Sequence, residues 1–305
     1  MAMTPRELRS RLLGPIGFPV TPFDARLALD RAALRTNLEA MLLDPPAAIV
    51  AAGGTGELYS ITPAEHAEIV RVAVEACRGR VPVIAGVGFN TALATELAAT
   101  AAHLGADGIL AFPPYYPNAD DAGLFDYYAA IASGTELAML IYSRDWFHPG
   151  PAFVERLVSL PSLVAWKDGQ GDVRRLQILM SSLGDRLTWV GGAGDDMVPA
   201  YYAAGVRSYT SSVANVAPRL ARRVHELASS GDRDLHAVMA EMIVPLYALR
   251  ARRRGYEVSV MKAMMDEVGL VGGPIRPPLP RLTAEDLAAV RRLAPVFRNW
   301  HVSAT

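Results

Sequence analysis

The sequence predicts an α/β fold, a (β/α)8 TIM barrel with a C-terminal helical extension. Eight short apolar runs recur between residues 15 and 210, and segments with helical spacing separate them. Beyond Pro218 the apolar runs stop and only helical patterns remain. The chain has 305 residues, of which 51% are hydrophobic, so it can build one large barrel core. Together these observations favour a single barrel followed by helices.

The eight apolar runs are expected to be the strands of the barrel. Their short length and their lack of polar–apolar alternation are typical of parallel strands that are buried on both faces. The predicted strands span residues 15–20, 47–52, 81–86, 108–112, 137–142, 163–167, 187–191 and 206–210.

The segments between the runs carry signals for helix ends. Thr62 is placed to cap a helix, with Pro63 at its first position and Glu65 at its third. Gly105 follows another helical pattern and is a typical helix stop. A doubly wound sheet is the alternative arrangement, but no GxGxxG motif follows the first run and no Walker motif occurs.

The change of pattern near Pro218 also predicts how the chain is divided. We expect residues 1–225 to form the barrel that carries the active site, and residues 226–305 to form a C-terminal helical region. The sequence PIRPPLP, residues 274–280, is the expected irregular connector within that second region.

Composition argues against several classes of function. The net charge is −1, which makes nucleic acid and anionic membrane surfaces poor candidate partners. No apolar stretch is long enough to span a membrane, and the N-terminus lacks a signal-peptide core, so a cytoplasmic location is expected. Cys77 is the single cysteine, and the six histidines form no HExxH or similar motif, so neither an intrachain disulfide nor a metal site is expected.

Polar residues follow the predicted strands where barrel enzymes place their chemistry. Active sites of this fold lie at the carboxyl ends of the strands. The residues expected at this common mouth are Thr55, Tyr115, Tyr116, Tyr142, Lys167 and Ser211.

Lys167 is the strongest candidate for a catalytic residue. The chain contains 30 basic residues, and only Lys167 and Lys262 are lysines. Arginine pairs with carboxylates equally well but cannot lose its proton to become a nucleophile. A lysine behind the apolar run Leu163 to Trp166 would be desolvated, which lowers its pKa and allows it to form a Schiff base with a ketone. The alternative is a solvent-exposed side chain that pairs with Asp168.

Two neighbouring features fit Schiff-base chemistry. Tyr142 ends the preceding strand and could move protons beside the amine, although a half-buried structural tyrosine is the alternative. The glycines around Thr55 allow backbone N–H groups to approach a carboxylate; phosphate is the competing ligand, but no basic residue adjoins the loop in sequence. Glu57 and the pair Asp195 and Asp196 are expected to be caps at segment starts.

These motifs together resemble the pyruvate-type class I lyase family, which contains dihydrodipicolinate synthase and N-acetylneuraminate lyase. The resemblance runs over nearly the whole chain, through PVTPF, GGTGE, IY, WKDG and SSVANVAP. It implies a homotetrameric barrel in which Lys167 forms the Schiff base and Tyr142 relays protons. It also implies that Thr55 and its loop bind the α-keto carboxylate, and that Tyr116 reaches a subunit contact.

Departures from the family pattern point to one of its branches. Gly54 replaces the first hydroxyl residue of the usual loop, and Ser143 replaces the usual asparagine after Tyr142. The segments KDGQGD and RRRGYEVSVMKA, with RPPLPRLT further on, are similar to the 5-dehydro-4-deoxyglucarate dehydratase branch.

The expected activity is therefore a decarboxylating dehydration of a six-carbon keto-diacid that yields 2,5-dioxopentanoate, CO2 and water. The iminium supplies the electron sink, so no cofactor is expected. The remaining expected substrate contacts are Gly54 at the keto-acid carboxylate, Ser211 or Ser212 at hydroxyls, and Arg144 at the distal carboxylate. The alternatives are a pyruvate-dependent aldolase or synthase of the same family and a non-catalytic ligand-binding barrel.

Overall fold

The structure, a computed structural model, describes residues 3–115 and 119–300. Eight parallel strands form a closed barrel in chain order, in which the first strand pairs with the second and with the eighth. The strands are β1 (Gly14–Gly17), β2 (Ala48–Ala51), β3 (Val83–Phe89), β4 (Gly108–Pro114), β5 (Ala138–Ser143), β6 (Leu163–Asp168), β7 (Thr188–Gly191) and β8 (Ser208–Ser211). The predicted (β/α)8 barrel is confirmed, because each strand overlaps one of the eight apolar runs.

Helices surround the barrel and extend beyond it. They are α1 (Pro5–Arg11), α2 (Arg31–Met41), α3 (Pro63–Cys77), α4 (Thr91–His103), α5 (Asp121–Ser133), α6 (Pro151–Leu157), α7 (Val173–Leu183), α8 (Val198–Ala203), α9 (Pro218–Ser230), α10 (Asp234–Val238), α11 (Val244–Ala251), α12 (Tyr256–Glu267) and α13 (Ala284–Arg298). Short 3-10 helices cover Leu58–Ser60, Asp195–Met197 and Val213–Asn215, and a π-helix covers Met239–Ile243.

The predicted helix start at Thr62 and helix stop at Gly105 are confirmed. Thr62 accepts a hydrogen bond from the Glu65 backbone, and the Glu65 side chain accepts one from the Thr62 backbone, so the two residues cap α3 reciprocally. Gly105 lies just beyond α4 with a φ of 87°, a conformation that suits glycine.

The apolar core has two parts. One fills the barrel interior and includes Ile16, Val50, Leu110 and Val190, and the other lies between the strands and the surrounding helices. Helix α1 packs near the amino end of the barrel, where fully buried Leu8 lies close to Gly108 at the start of β4. The carboxyl ends of the strands are consequently the end at which a ligand can enter.

The C-terminal helices pack on one another and on the carboxyl end of the barrel. Helix α12 contacts α11, α13 and the 3-10 helix that follows β8. Residues 268–283, which include the expected connector, contain no helix or strand. The expected division after residue 225 falls within α9, and we retain it as a proposal. No described helix is both long enough and apolar enough to cross a membrane.

Candidate active site

A cleft of ≈ 440 Å³ opens at the carboxyl ends of the strands, a size typical of small-molecule sites. Its walls include seven of the residues singled out from the sequence: Gly54, Thr55, Tyr142, Arg144, Lys167, Ser211 and Ser212. Tyr115 is not among the lining residues and is 78% exposed. Tyr116 lies outside the described residues.

Lys167 is buried at the floor of this cleft. It lies in β6 and is only 4% exposed, which argues against the alternative of a solvent-exposed lysine. Its Nζ lies 3.1 Å from the centre of the Tyr142 ring and 5.2 Å from that of Phe18. Burial, together with the positive charge of Arg144, holds the pKa of Lys167 well below its usual 10.5. The amine is thereby favoured in its neutral, nucleophilic form.

Tyr142 lies beside Lys167 because the two residues are partners in the β5–β6 pairing. The ring packs edge-on against Phe112 at 5.2 Å, and the hydroxyl accepts a hydrogen bond of 3.4 Å from Nη1 of Arg144. Burial raises the pKa of Tyr142, partly opposed by Arg144, so the phenol is protonated at neutral pH. Arg144 is placed to stabilise the phenolate after a proton transfer.

Two glycines make room for this pair, and sequence reasoning did not single them out. A Cβ atom at Gly169 would overlap the Tyr142 ring. A Cβ atom at Gly192 would lie 2.6 Å from Cγ of Lys167. The glycines that follow β6 and β7 therefore set the positions of the two side chains, in addition to allowing turns.

The Gly54–Thr55 loop gains a basic neighbour from another strand end. A Cβ atom at Gly54 would lie 3.8 Å from Nη1 of Arg144, and both loop residues are partly exposed to the cleft. No basic residue adjoins this loop in sequence, but the fold supplies Arg144 from the segment after β5. The loop can therefore offer backbone N–H groups and a guanidinium to one small anion.

Glu57 is not the cap that the sequence suggested. Its side chain makes no capping hydrogen bond to the 3-10 helix it precedes. Instead the fully buried carboxylate forms a 2.5 Å ion pair with Nζ of Lys262, and it accepts a hydrogen bond from the Arg276 backbone. The prediction was wrong because it considered the local chain only. Lys262 is the only lysine besides Lys167, and this rarity could have indicated that it pairs with a buried carboxylate.

Asp195 also has a different role from the expected cap of its own segment. It is buried and accepts hydrogen bonds from the Ser211 hydroxyl at 2.5 Å, from Tyr247 at 2.8 Å and from the backbones of Ser212 and Val213. Asp195 thus holds the segment after β8 in place from a neighbouring loop. Burial raises its pKa, and these hydrogen bonds oppose the rise.

Arg250 is a cleft residue that sequence reasoning missed. It lies on α11, is 8% exposed, and donates from Nη2 to the Ser212 hydroxyl at 3.2 Å. In sequence it is one of several arginines, but it lies four residues after Leu246, on the buried stripe of the helix. This four-residue spacing could have predicted that Arg250 faces the interior.

The described residues contain no group of three His, Cys, Asp or Glu side chains that could hold a metal ion. The chemistry that the cleft displays is that of a desolvated amine, an adjacent phenol and hydrogen-bond donors for anions.

Comparison with known proteins identifies the family of the chain. The model of the dihydrodipicolinate synthetase family matches residues 11–295. This chain belongs to that family.

Among curated relatives, a probable 5-dehydro-4-deoxyglucarate dehydratase from a Bradyrhizobium strain is 40% identical over 296 residues, covering 95% of both chains. A protein of the same name from Methylobacterium radiotolerans is 40% identical over 298 residues, covering 96% of this chain and 98% of its own. The structure of dihydrodipicolinate synthase from Oceanobacillus iheyensis is similar with a TM-score of 0.90 at 28% identity, covering 97% and 99% of the two chains.

Proposed function

We propose that this protein is a decarboxylating dehydratase that converts 5-dehydro-4-deoxyglucarate to 2,5-dioxopentanoate, CO2 and water through an imine on Lys167. The observation that carries the proposal is the buried amine of Lys167, with its lowered pKa, stacked on Tyr142 in an open cleft. The names of relatives 40% identical over nearly full length support the choice of substrate.

The reaction begins with attack of Nζ of Lys167 on the C5 ketone. The Tyr142 hydroxyl donates a proton to the departing oxygen, and loss of water gives the iminium. The hydrogen bond from Arg144 stabilises the phenolate that remains. That phenolate, or a water molecule acting with it, then removes a proton from C4, which the iminium has made acidic.

The proton taken from C4 is passed back by Tyr142 to the C3 hydroxyl, so the enamine expels it as water and leaves a conjugated iminium. This cation accepts the electron pair of the C1–C2 bond, so C1 departs as CO2. Protonation and hydrolysis then release 2,5-dioxopentanoate and return the free amine of Lys167. The imine nitrogen accepts electrons at both steps, so Lys167 alone provides the electron sink.

Binding of the keto-acid carboxylate is assigned to Gly54 and Thr55. Arg144 was expected at the distal carboxylate, but its contact with Tyr142 and its position beside Gly54 favour the keto-acid end. Ser212 is the better candidate for a substrate hydroxyl, because Ser211 Oγ already bonds Asp195 and the Ala214 backbone.

Identification of the products tests this assignment. We expect the purified protein to convert the keto-diacid to CO2 and 2,5-dioxopentanoate, detected by mass spectrometry and by coupling to a semialdehyde dehydrogenase. A pyruvate-dependent aldolase is the alternative, because the fold is similar to that of a synthase. Release of pyruvate without CO2 would favour that alternative, although Gly54 lacks the hydroxyl that synthases and lyases of the family carry at this position.

The assembly and the location of the protein are further proposals. A homotetramer with Tyr116 at a subunit contact, and a cytoplasmic location, follow from family resemblance and from the sequence. Size-exclusion chromatography with light scattering tests the assembly, since a monomer at micromolar concentration would contradict it.

A further inference from the structure

We propose that Arg250 binds the distal carboxylate of the substrate and thereby makes the enzyme selective for keto-diacids over keto-monoacids. This inference rests on the proposed Schiff-base function and adds a residue from the C-terminal helical region to the site. Arg250 lines the same cleft as Lys167.

The guanidinium of Arg250 is held in place but has donors to spare. Its Cζ lies 4.2 Å from the centre of the Tyr247 ring, and its Nη2 donates to Ser212 at 3.2 Å. Its Nε and Nη1 are buried, and neither has a hydrogen-bond acceptor among the residues that the structure describes. Donors of a buried cation without acceptors are costly in a folded protein, so an anion bound in the cleft beside Arg250 would stabilise the guanidinium.

The carboxylates near Arg250 do not take up these donors. Asp195 lies close enough to interact electrostatically with Arg250, but its two oxygens accept hydrogen bonds from Ser211, Tyr247 and backbone N–H groups. Asp196 is influenced by the charge of Arg250, and Glu257 lines the cleft; neither forms an ion pair with Arg250 among the described residues. The Arg250 charge is therefore partly balanced while Nε and Nη1 stay free of acceptors.

A carboxylate is the chemical group that best pairs with this guanidinium. An arginine binds a carboxylate through parallel N–H donors in a planar fork, an arrangement that neutral hydroxyls do not match. Arg144 comes from the segment after β5, whereas Arg250 contacts Ser212 after β8. Two guanidinium groups in one cleft with a reactive amine match a substrate that has a carboxylate at each end.

Two six-carbon keto acids test the inference on the unaltered protein. 2-Oxoadipate and 2-oxohexanoate differ only in the distal carboxylate. The measurement is the concentration of each that gives half-maximal borohydride-trapped adduct on Lys167. We expect 2-oxoadipate to be trapped at a concentration about 10- to 100-fold lower, the range of one charge-assisted interaction.

Substitutions then test whether Arg250 causes the preference for 2-oxoadipate. We expect Arg250→Gln to remove the preference for 2-oxoadipate, measured as the ratio of the two half-maximal concentrations within that variant. Arg253→Gln is the matched control, because Arg253 is exposed three residues further along the chain, and it should keep the full preference. Arg250→Lys, which retains the charge near Asp195 but loses the fork, is expected to keep part of it, and decides the matter if Arg250→Gln does not fold.

The outcomes separate this inference from the proposed function. Equal trapping of both acids by the unaltered protein, or an unchanged preference in Arg250→Gln or Arg250→Lys, would overturn the role of Arg250 while leaving the Schiff base intact. Absence of an adduct with either acid would overturn the proposed function itself.

Discussion

At the scale of single residues, the site depends on the protonation state of one amine. Lys167 is removed from water by the residues around it, and Arg144 adds a like charge nearby. Both effects favour the neutral amine. Tyr142 is shifted in the opposite sense, since burial raises its pKa and keeps its proton available. Both shifts therefore favour the reactive forms, a neutral amine and a protonated phenol.

The pH dependence of imine formation follows from the lowered pKa of Lys167. The rate of borohydride trapping by pyruvate is expected to rise with pH as the amine loses its proton, and to level off well below pH 10.5. Stopped aliquots analysed by intact-protein mass spectrometry give this rate. A rise centred near the ordinary lysine pKa would show that the amine is not desolvated in solution.

At the scale of structural elements, the strand ends determine where the reactive side chains point. β5 and β6 place Tyr142 and Lys167 side by side through their register. The turns after β6 and β7 then begin with glycines against which those side chains pack. The strands and the turns that follow them thus fix the relative positions of Tyr142 and Lys167.

Gly169→Ala is predicted to impair both catalysis and folding, because a Cβ atom there would also lie 2.9 Å from the Ser143 backbone oxygen. The added methyl group overlaps the Tyr142 ring, so the ring must move away from the amine, and we expect kcat to fall at least about tenfold. Gly150→Ala is the control, since a Cβ atom there has no neighbour within 4 Å. Steady-state kinetics with thermal unfolding separates the two effects, and an unchanged kcat in Gly169→Ala would contradict the steric argument.

At the scale of the whole molecule, the C-terminal region is attached to the loop that carries Thr55. The ion pair of Glu57 and Lys262 is buried, and Arg276 adds paired hydrogen bonds to Glu65, which lower the pKa of that carboxyl to about 2. Helix α12 and the connector after it therefore contact both ends of the segment from Glu57 to Glu65. The barrel and the helical region act as one structural unit at the site.

The two lysines of the chain are expected to respond oppositely to removal. Lys262→Met leaves the Glu57 carboxylate buried without its partner, and we expect the free energy of unfolding to fall by about 3–5 kcal/mol. Lys167→Met removes an amine whose pKa is lowered on folding. Such a group destabilises the folded state wherever it would be charged in the unfolded chain, that is below pH 10.5.

Lys167→Met should therefore be at least as stable as the unaltered protein at pH 7. Urea unfolding at pH 7 measures both variants against the unaltered protein. A stable Lys262→Met protein would show that the buried pair does not tie the C-terminal region to the barrel.

Local and periodic patterns in the sequence predicted the features that are formed by residues close together along the chain. The eight strands, the α3 cap and the place of Lys167 at a strand end follow from apolar runs, capping residues and the chain's preference for arginine. The partners of Glu57, Asp195 and Arg250 come from distant segments. Which distant residues meet depends on how the C-terminal helices pack, and a strand or helix pattern does not carry that information.

The most direct measurement of the central claim is to map the site of covalent trapping. The protein is incubated with a keto acid and borohydride, digested, and analysed by peptide mass spectrometry. Because the chain has only two lysines, Lys262 serves as an internal control. We expect one adduct, on Lys167, and none in Lys167→Met. An adduct on Lys262 alone, or no adduct at all, would contradict it.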